Sequence, residues 1–257
     1  MKSIVLCEGP DDLWFIAYYL HKTAGWDTIE GKRVLWAWKN YQVSPLNDRQ
    51  QVQYLEKRTD TVCIWCAAGK DGFSNCLKTI VDKYVKEIPA DAVDSIVIVC
   101  DRDSDTTESI LKGFEESLPG ISPLQNKTRT GYSVFLEEGE IGATTVTPVI
   151  IPFNKEGAIE TLLMSAVGES GPQGERIVQS AEQYVDSLAG QDEVRARYLS
   201  HARLILKATY SSTIAITNPG HSTGLFQDMA MNSPWEESPY VKEHFDVIRN
   251  AITSDPT

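Results

Sequence analysis

"SIVIVCDRDSDTT", residues 95–107, decides how this chain folds. From Ser95 to Cys100 the run is apolar at odd and even positions alike. A strand buried on both faces reads this way, as in the interior of a parallel sheet. The run breaks at Asp101 into alternating charge, and a helix is expected at about 106–117. Upstream, "TVCIWC" at 61–66 predicts another strand, followed by Gly69-Lys70 and a helix at about 73–88 ended by Pro89. Further back, residues 3–7 predict a strand that runs into Glu8. The segment "DDLWFIAYYLHK" carries Leu13, Ile16 and Leu20 at helical spacing, so a helix begins near Asp11. Downstream, 131–153 is β-rich, and Pro148 suggests an edge strand or a bulge. Strands alternating with helices predict an α/β fold with a mainly parallel sheet flanked by helices.

Two regions depart from that rhythm. Residues 27–60 are polar apart from "VLWAW" and read as an insertion holding a hairpin or a short helix. Beyond about 155 the pattern turns helical, with helices expected at 156–167, 175–188, 192–209 and 241–252. The expected organisation is an α/β domain over 1–167 and a helical C-terminal extension over 168–257, which can pack as one unit with it.

The chain has 257 residues, 42% hydrophobic, with a formal net charge of −12. That charge argues against broad adhesion to nucleic acid, and no basic cluster stands out, so any such contact is expected to be local. No apolar run approaches the ~20 residues that cross a bilayer. The apolar stretch after Lys2 is too short for a signal-peptide core, so a cytoplasmic location without membrane contact is the default. The five cysteines sit mostly in apolar segments. Cys63 and Cys66 have C-x-x-C spacing but lie in a strand pattern, where residues three apart face opposite ways, so buried thiols are expected.

Charge gathers where strands end. Glu8 follows the first strand, and Asp101 and Asp103 follow the run at 95–100. Parallel strands collect functional groups at their carboxyl ends, so these carboxylates are expected to share one crevice. Two like charges ~4 Å apart repel by ~4 kcal/mol at an effective dielectric of 20. Arg102 and Lys70 are the evident cations nearby. A hard divalent ion, Mg²⁺ or Mn²⁺, would relieve the conflict through oxygen ligands. Asp12 and Asp105 are further candidate ligands, although Asp11, Asp12 and Asp105 also suit helix caps or turns. The histidines at 21, 201, 221 and 244 are scattered and are not expected to act as a base.

These residues resemble a known family. E-G-x-x-D after a first strand (Glu8, Gly9, Asp12) and D-x-D after a later one (Asp101, Asp103) are similar to the Toprim domain of topoisomerases, bacterial primases and several nucleases. The resemblance covers about 2–165 and treats 27–60 as an insertion. It implies that the glutamate and both aspartates bind magnesium for phosphodiester chemistry on DNA or RNA, with Glu8 also moving a proton. Gly69-Lys70 and Glu160 resemble features of the overcoming-lysogenization-defect nuclease branch, which implies a second metal site completed by Glu160, although that position also reads as an exposed helix residue. Lys70 can hold a phosphate against the metals or stand as a solvated loop lysine ahead of a helix. The C-terminal part with "NSPWEESP" is similar to stand-alone Toprim-like proteins. Two alternatives stay open. One is a Toprim-like module that binds metal or nucleotide without cleavage. The other is a haloacid-dehalogenase-type phosphatase, because Asp103 to Thr107 spells D-x-D-x-T, two residues off the strand end.

Overall fold

The structure is a computed structural model that describes residues 1–39, 42–87, 92–117, 121–123, 132–135, 143–217 and 234–254. Pro89, the segment 136–142 of the β-rich region and the Gly/Ser/Pro-containing connection at 218–233 lie outside the described residues.

Four parallel strands make the centre of one sheet: β4 (Asp60–Cys66), β1 (Lys2–Cys7), β5 (Ser95–Asp101) and β8 (Ala143–Ile151), side by side in that order. The alternation within each strand sorts its side chains onto two cores. Val5, Cys7, Ile64, Cys66, Val97 and Val99 face one layer of helices, and Ile4, Leu6, Cys63, Trp65, Ile96 and Ile98 face the other. This is why the run at 95–100 is apolar throughout. All five cysteines are buried and free, as expected.

The polar segment 27–60 contains both devices anticipated for it. It holds β2 (Asp27–Ile29), α2 (Lys32–Trp38) and β3 (Gln51–Lys57), which add two antiparallel strands beyond β4. At the other margin β7 (Tyr132–Phe135) and β6 (Ile121–Pro123) run antiparallel beyond β8, giving eight strands among the described residues. Pro148 therefore lies in an interior strand, contrary to the edge expectation. Pro148 stands beside Ile98 of β5, and the described pairing of β7 with β8 runs from Ala143 to Val146.

One face carries α3 (Lys70–Thr79), the π-helical turn Ile80–Lys86 that continues it, and α4 (Thr107–Ser117). The other carries α1 (Pro10–Ala24) and α5 (Ile159–Glu169). The C-terminal part consists of α6 (Pro172–Ala189), α7 (Asp192–Tyr198), α8 (Ala202–Thr217) and α9 (Pro239–Ala251). The single helix expected over 192–209 is thus two, separated around Leu199–His201. Tyr210 and Ile214 of α8 and Val241, Phe245 and Ile248 of α9 enter the same core as α1 and α5, so the extension shares the α/β layer's interior.

Candidate functional site

Asp101 is the last residue of β5, and Glu8 stands one residue past β1. Because β1 and β5 are parallel neighbours, the two carboxylates meet, and the Asp101 N–H donates to Glu8 Oε1 at 2.9 Å. The expectation that Asp101 lies past the strand is off by one residue.

Three helix starts converge on this pair. In α1 the cap is Gly9, with Pro10 as the first helical residue, so neither Asp11 nor Asp12 occupies the cap position. Asp12 instead sits third in the helix, and its Oδ2 accepts the Gly9 N–H at 2.8 Å, half of a capping box. In α5 the Ile159 N–H donates to Asp101 Oδ1 at 3.1 Å, so the positive end of that helix faces the aspartate. Glu160 follows at once and is only 5% exposed. In α3 the first residue is Lys70, whose Nζ lies 2.6 Å from Asp103 Oδ2. Asp105 is exposed on the rim, 3.6 Å from Lys70, and its N–H closes a turn onto the Arg102 carbonyl.

Asp103 has a left-handed backbone, φ 51°, which aspartate tolerates better than most residues. It is held there by a two-way bridge. Its N–H donates to the Gly157 carbonyl at 2.7 Å, and the Gly157 N–H donates back at 2.8 Å. Gly157 has φ 134°, and a β-carbon there would lie 2.1 Å from Thr161 Oγ1, so only glycine fits.

The counter-charge comes from a residue the sequence did not flag. Arg203, in the first turn of α8, spans both aspartates, with one guanidinium nitrogen 2.7 Å from Asp101 Oδ2 and the other 2.6 Å from Asp103 Oδ1. One turn further along α8, Lys207 Nζ lies 3.4 Å from Glu160 Oε1. Arg102 does not serve as the expected cation. Its guanidinium turns away to the Pro152 and Phe153 carbonyls and Thr107 Oγ1. The only trace of Arg203 and Lys207 in the sequence is a basic pair at i, i+4 spacing, which says nothing of what the helix meets. His244 is buried and structural, accepting the Phe153 N–H through Nε2 while Nδ1 donates to the Tyr240 carbonyl.

Cations are outnumbered here, and the acid strengths follow. Burial, and then the charge of Asp101, push the Glu8 carboxyl up to about 7, against the pull of Lys70. Burial also lifts Asp12 well above the usual carboxylate range, helped by Asp101 and opposed by the Gly9 N–H. Asp101 is raised by burial even though Arg203 pulls it down. Asp103 goes the other way, because Lys70 and Arg203 outweigh the effect of its burial. The structure thus gathers Glu8, Asp12, Asp101, Asp103, Glu160 and Lys70 and leaves Asp105 outside.

Asp12 Oδ1 and Glu160 Oε2 are buried acceptors without a donor. Such oxygens, in a set of oxygen ligands only, fit a hard divalent cation by chemistry. As they stand, no three His, Cys, Asp or Glu side chains among the described residues converge tightly enough to hold an ion. Arg203 instead takes up Asp101 and Asp103.

Fold and cluster together define an α/β protein with an acidic site at the carboxyl edge of a parallel sheet. Residues 2–245 match the DUF3226 family, described as a protein of unknown function, and the chain belongs to that family. A crystal structure of a hypothetical protein from Pyrococcus horikoshii OT3 is similar at 15% identity and a TM-score of 0.45, over 92% of this chain and 98% of that one. Among curated proteins none matches the chain. Among the described residues no helix is long and apolar enough to cross a membrane.

Proposed function

We propose that the cluster is the site of a Toprim-like, Mg²⁺- or Mn²⁺-dependent phosphoesterase acting on DNA or RNA phosphodiesters. The observation that carries this reading is the meeting of Glu8 and Asp101 at neighbouring strand ends, beside buried carboxylate oxygens of Asp12 and Glu160 that lack donors. Glu8, Asp101 and Asp103 would hold the cation, with Asp12 and Glu160 behind them. A bound cation supplies charge stabilisation at a phosphoryl oxygen. Glu8, with its carboxyl pushed up to about 7, can take or give a proton near neutral pH. Lys70, 43% exposed and tied to Asp103, is placed to turn its ammonium to a phosphate at the rim. The Asp103–Gly157 bridge keeps the second aspartate from swinging away.

One observation favours the second reading, a Toprim-like module that binds without cleaving. Arg203 already neutralises both aspartates, as a structural ion pair would. Incubation of single- and double-stranded DNA and RNA with the protein and Mg²⁺ or Mn²⁺ separates the two. Metal-dependent cleavage that Glu8→Gln abolishes supports the enzyme. Metal binding without cleavage of any of the four substrates assigns the module.

A further inference from the structure

At the opposite end of the sheet the chain builds a groove of about 1520 Å³ that the carboxylate cluster does not touch. It lies at the amino ends of β1 and β4, against α2 and the turn between β3 and β4. Six residues of β1 separate its floor at Lys2 from Glu8, roughly 20 Å along the strand.

The groove inverts the charge of the molecule. The chain as a whole has 24 Lys and Arg against 36 Asp and Glu. Among the described residues the groove is lined by Lys2, Lys32, Arg33, Lys39 and Arg58, against Glu56 and Asp94. Both acids are engaged, Glu56 by Arg33 and Asp94 by the backbone N–H of Lys2. Lys32 and Arg58 make no ion pair among the described residues. This corrects the expectation of no basic cluster, since its cations come from four separate stretches of sequence.

Among these cations stands Trp36. Helix α2 buries Val34 and Trp38, four residues apart, and so turns Leu35 and Trp36 outward. Trp36 is 88% exposed and Leu35 is 55% exposed. An indole ring held out among ammonium and guanidinium groups combines the two features that single strands use, phosphate contact and base stacking. A duplex keeps its base faces covered and offers the ring nothing to stack on. We infer that this groove is a binding site for single-stranded nucleic acid, with Trp36 as the stacking platform and Lys32 and Arg58 as phosphate contacts. The site is independent of the chemistry proposed for the carboxylates.

The test is fluorescence anisotropy of a short labelled thymidine oligonucleotide, in chelator so that the carboxylate cluster holds no metal. Wild type and Glu8→Gln bind alike. With about two phosphates neutralised, log K falls with log salt at a slope of about −1.4. Trp36→Ala weakens binding roughly tenfold or more through lost stacking. The double variant Lys32→Glu, Arg58→Glu lowers affinity and flattens the slope. Both changes lie on the surface, and unchanged thermal melts confirm that the variants are folded. Absence of saturable binding at low salt, or equal affinity in wild type and both variants, overturns the inference. So does equal affinity for a duplex, or sedimentation showing a self-associated protein that Trp36→Ala dissociates, since a second copy would then be the occupant.

Discussion

Replacing Arg203 with alanine separates the roles open to the carboxylate cluster. The change leaves Asp101, 3% exposed, facing Glu8, Asp12 and Glu160 without its guanidinium. Breaking a buried pair by removing one partner costs ~3–5 kcal/mol. Two features hold the cost near the lower end, about 3 kcal/mol. Arg203 is itself 34% exposed, so water already screens it, and burial already raises the Asp101 carboxyl so that it can take up a proton instead. For a chain of this size that is a fall in Tm of about 6–12 °C, measured in chelator. Magnesium then distinguishes the readings. In the variant a divalent ion meets Asp101 without a competitor and contends at Asp103 with Lys70 alone, and at ~100-fold over its Kd returns ~2.7 kcal/mol, most of the loss. Wild type gains less, because the ion must first displace Arg203. Thermal melts of both proteins with chelator and with Mg²⁺, paired with calorimetric titration of Mn²⁺, give the answer. If the variant is destabilised equally in both conditions, or wild type gains as much as the variant, Arg203 is not holding a cation's place and the reasoning fails.

The raised Glu8 carboxyl makes a pH prediction. An acid whose folded pKa, about 7, exceeds its ordinary 4.5 favours the folded state while protonated, and that contribution is lost as pH rises through 7. Denaturant titrations of metal-free protein should therefore show higher stability near about pH 5 than near about pH 8, with Glu8→Gln removing a share of order 3 kcal/mol. Asp12 and Asp101, shifted the same way, add to that slope, while buried His244, whose pKa is lowered by burial, works against it; a slope unchanged by Glu8→Gln contradicts the assignment. Gly157→Ala, forcing a β-carbon onto Thr161 at φ 134°, should cost roughly 1–3 kcal/mol and release the Asp103 N–H to faster hydrogen exchange. Native-like exchange at Asp103 in that variant would show that the bridge does not hold the loop. Asp101→Asn combined with Asp103→Asn should abolish Mn²⁺ binding by calorimetry, and retained binding would place the ion elsewhere.

What the sequence made legible was local. The strands at 61–66 and 95–100 are readable because burial on both faces leaves a continuous apolar run, and the strand-end carboxylates Glu8, Asp101 and Asp103 follow from where such runs stop. Pro148 misled because the rule it invokes concerns a strand's neighbours, and those of β8 are set elsewhere in the chain. Arg203 was illegible for a related reason. Its contacts with Asp101 and Asp103 span about a hundred residues, and α8 carries no pattern that names the face of the sheet it crosses. The burial of Glu160 was not legible, because it depends on α8 lying over α5.

The position of β1 between β4 and β5 also orders events in time. During synthesis β1 emerges first, yet its two neighbours are some fifty and ninety residues downstream, so it must wait as an apolar segment without a partner. When β5 arrives, β1 has both its neighbours, but that pairing brings Glu8 and Asp101 together a hundred residues before Arg203 exists to stand between the aspartates. A chain paired only that far holds these two carboxylates together without the guanidinium, and with much of the shared core still to come. Such long-range pairing belongs to slow folding topologies. The last third of the chain is then a component of the folding reaction itself, and the acidic end of the sheet is finished only when α8 docks.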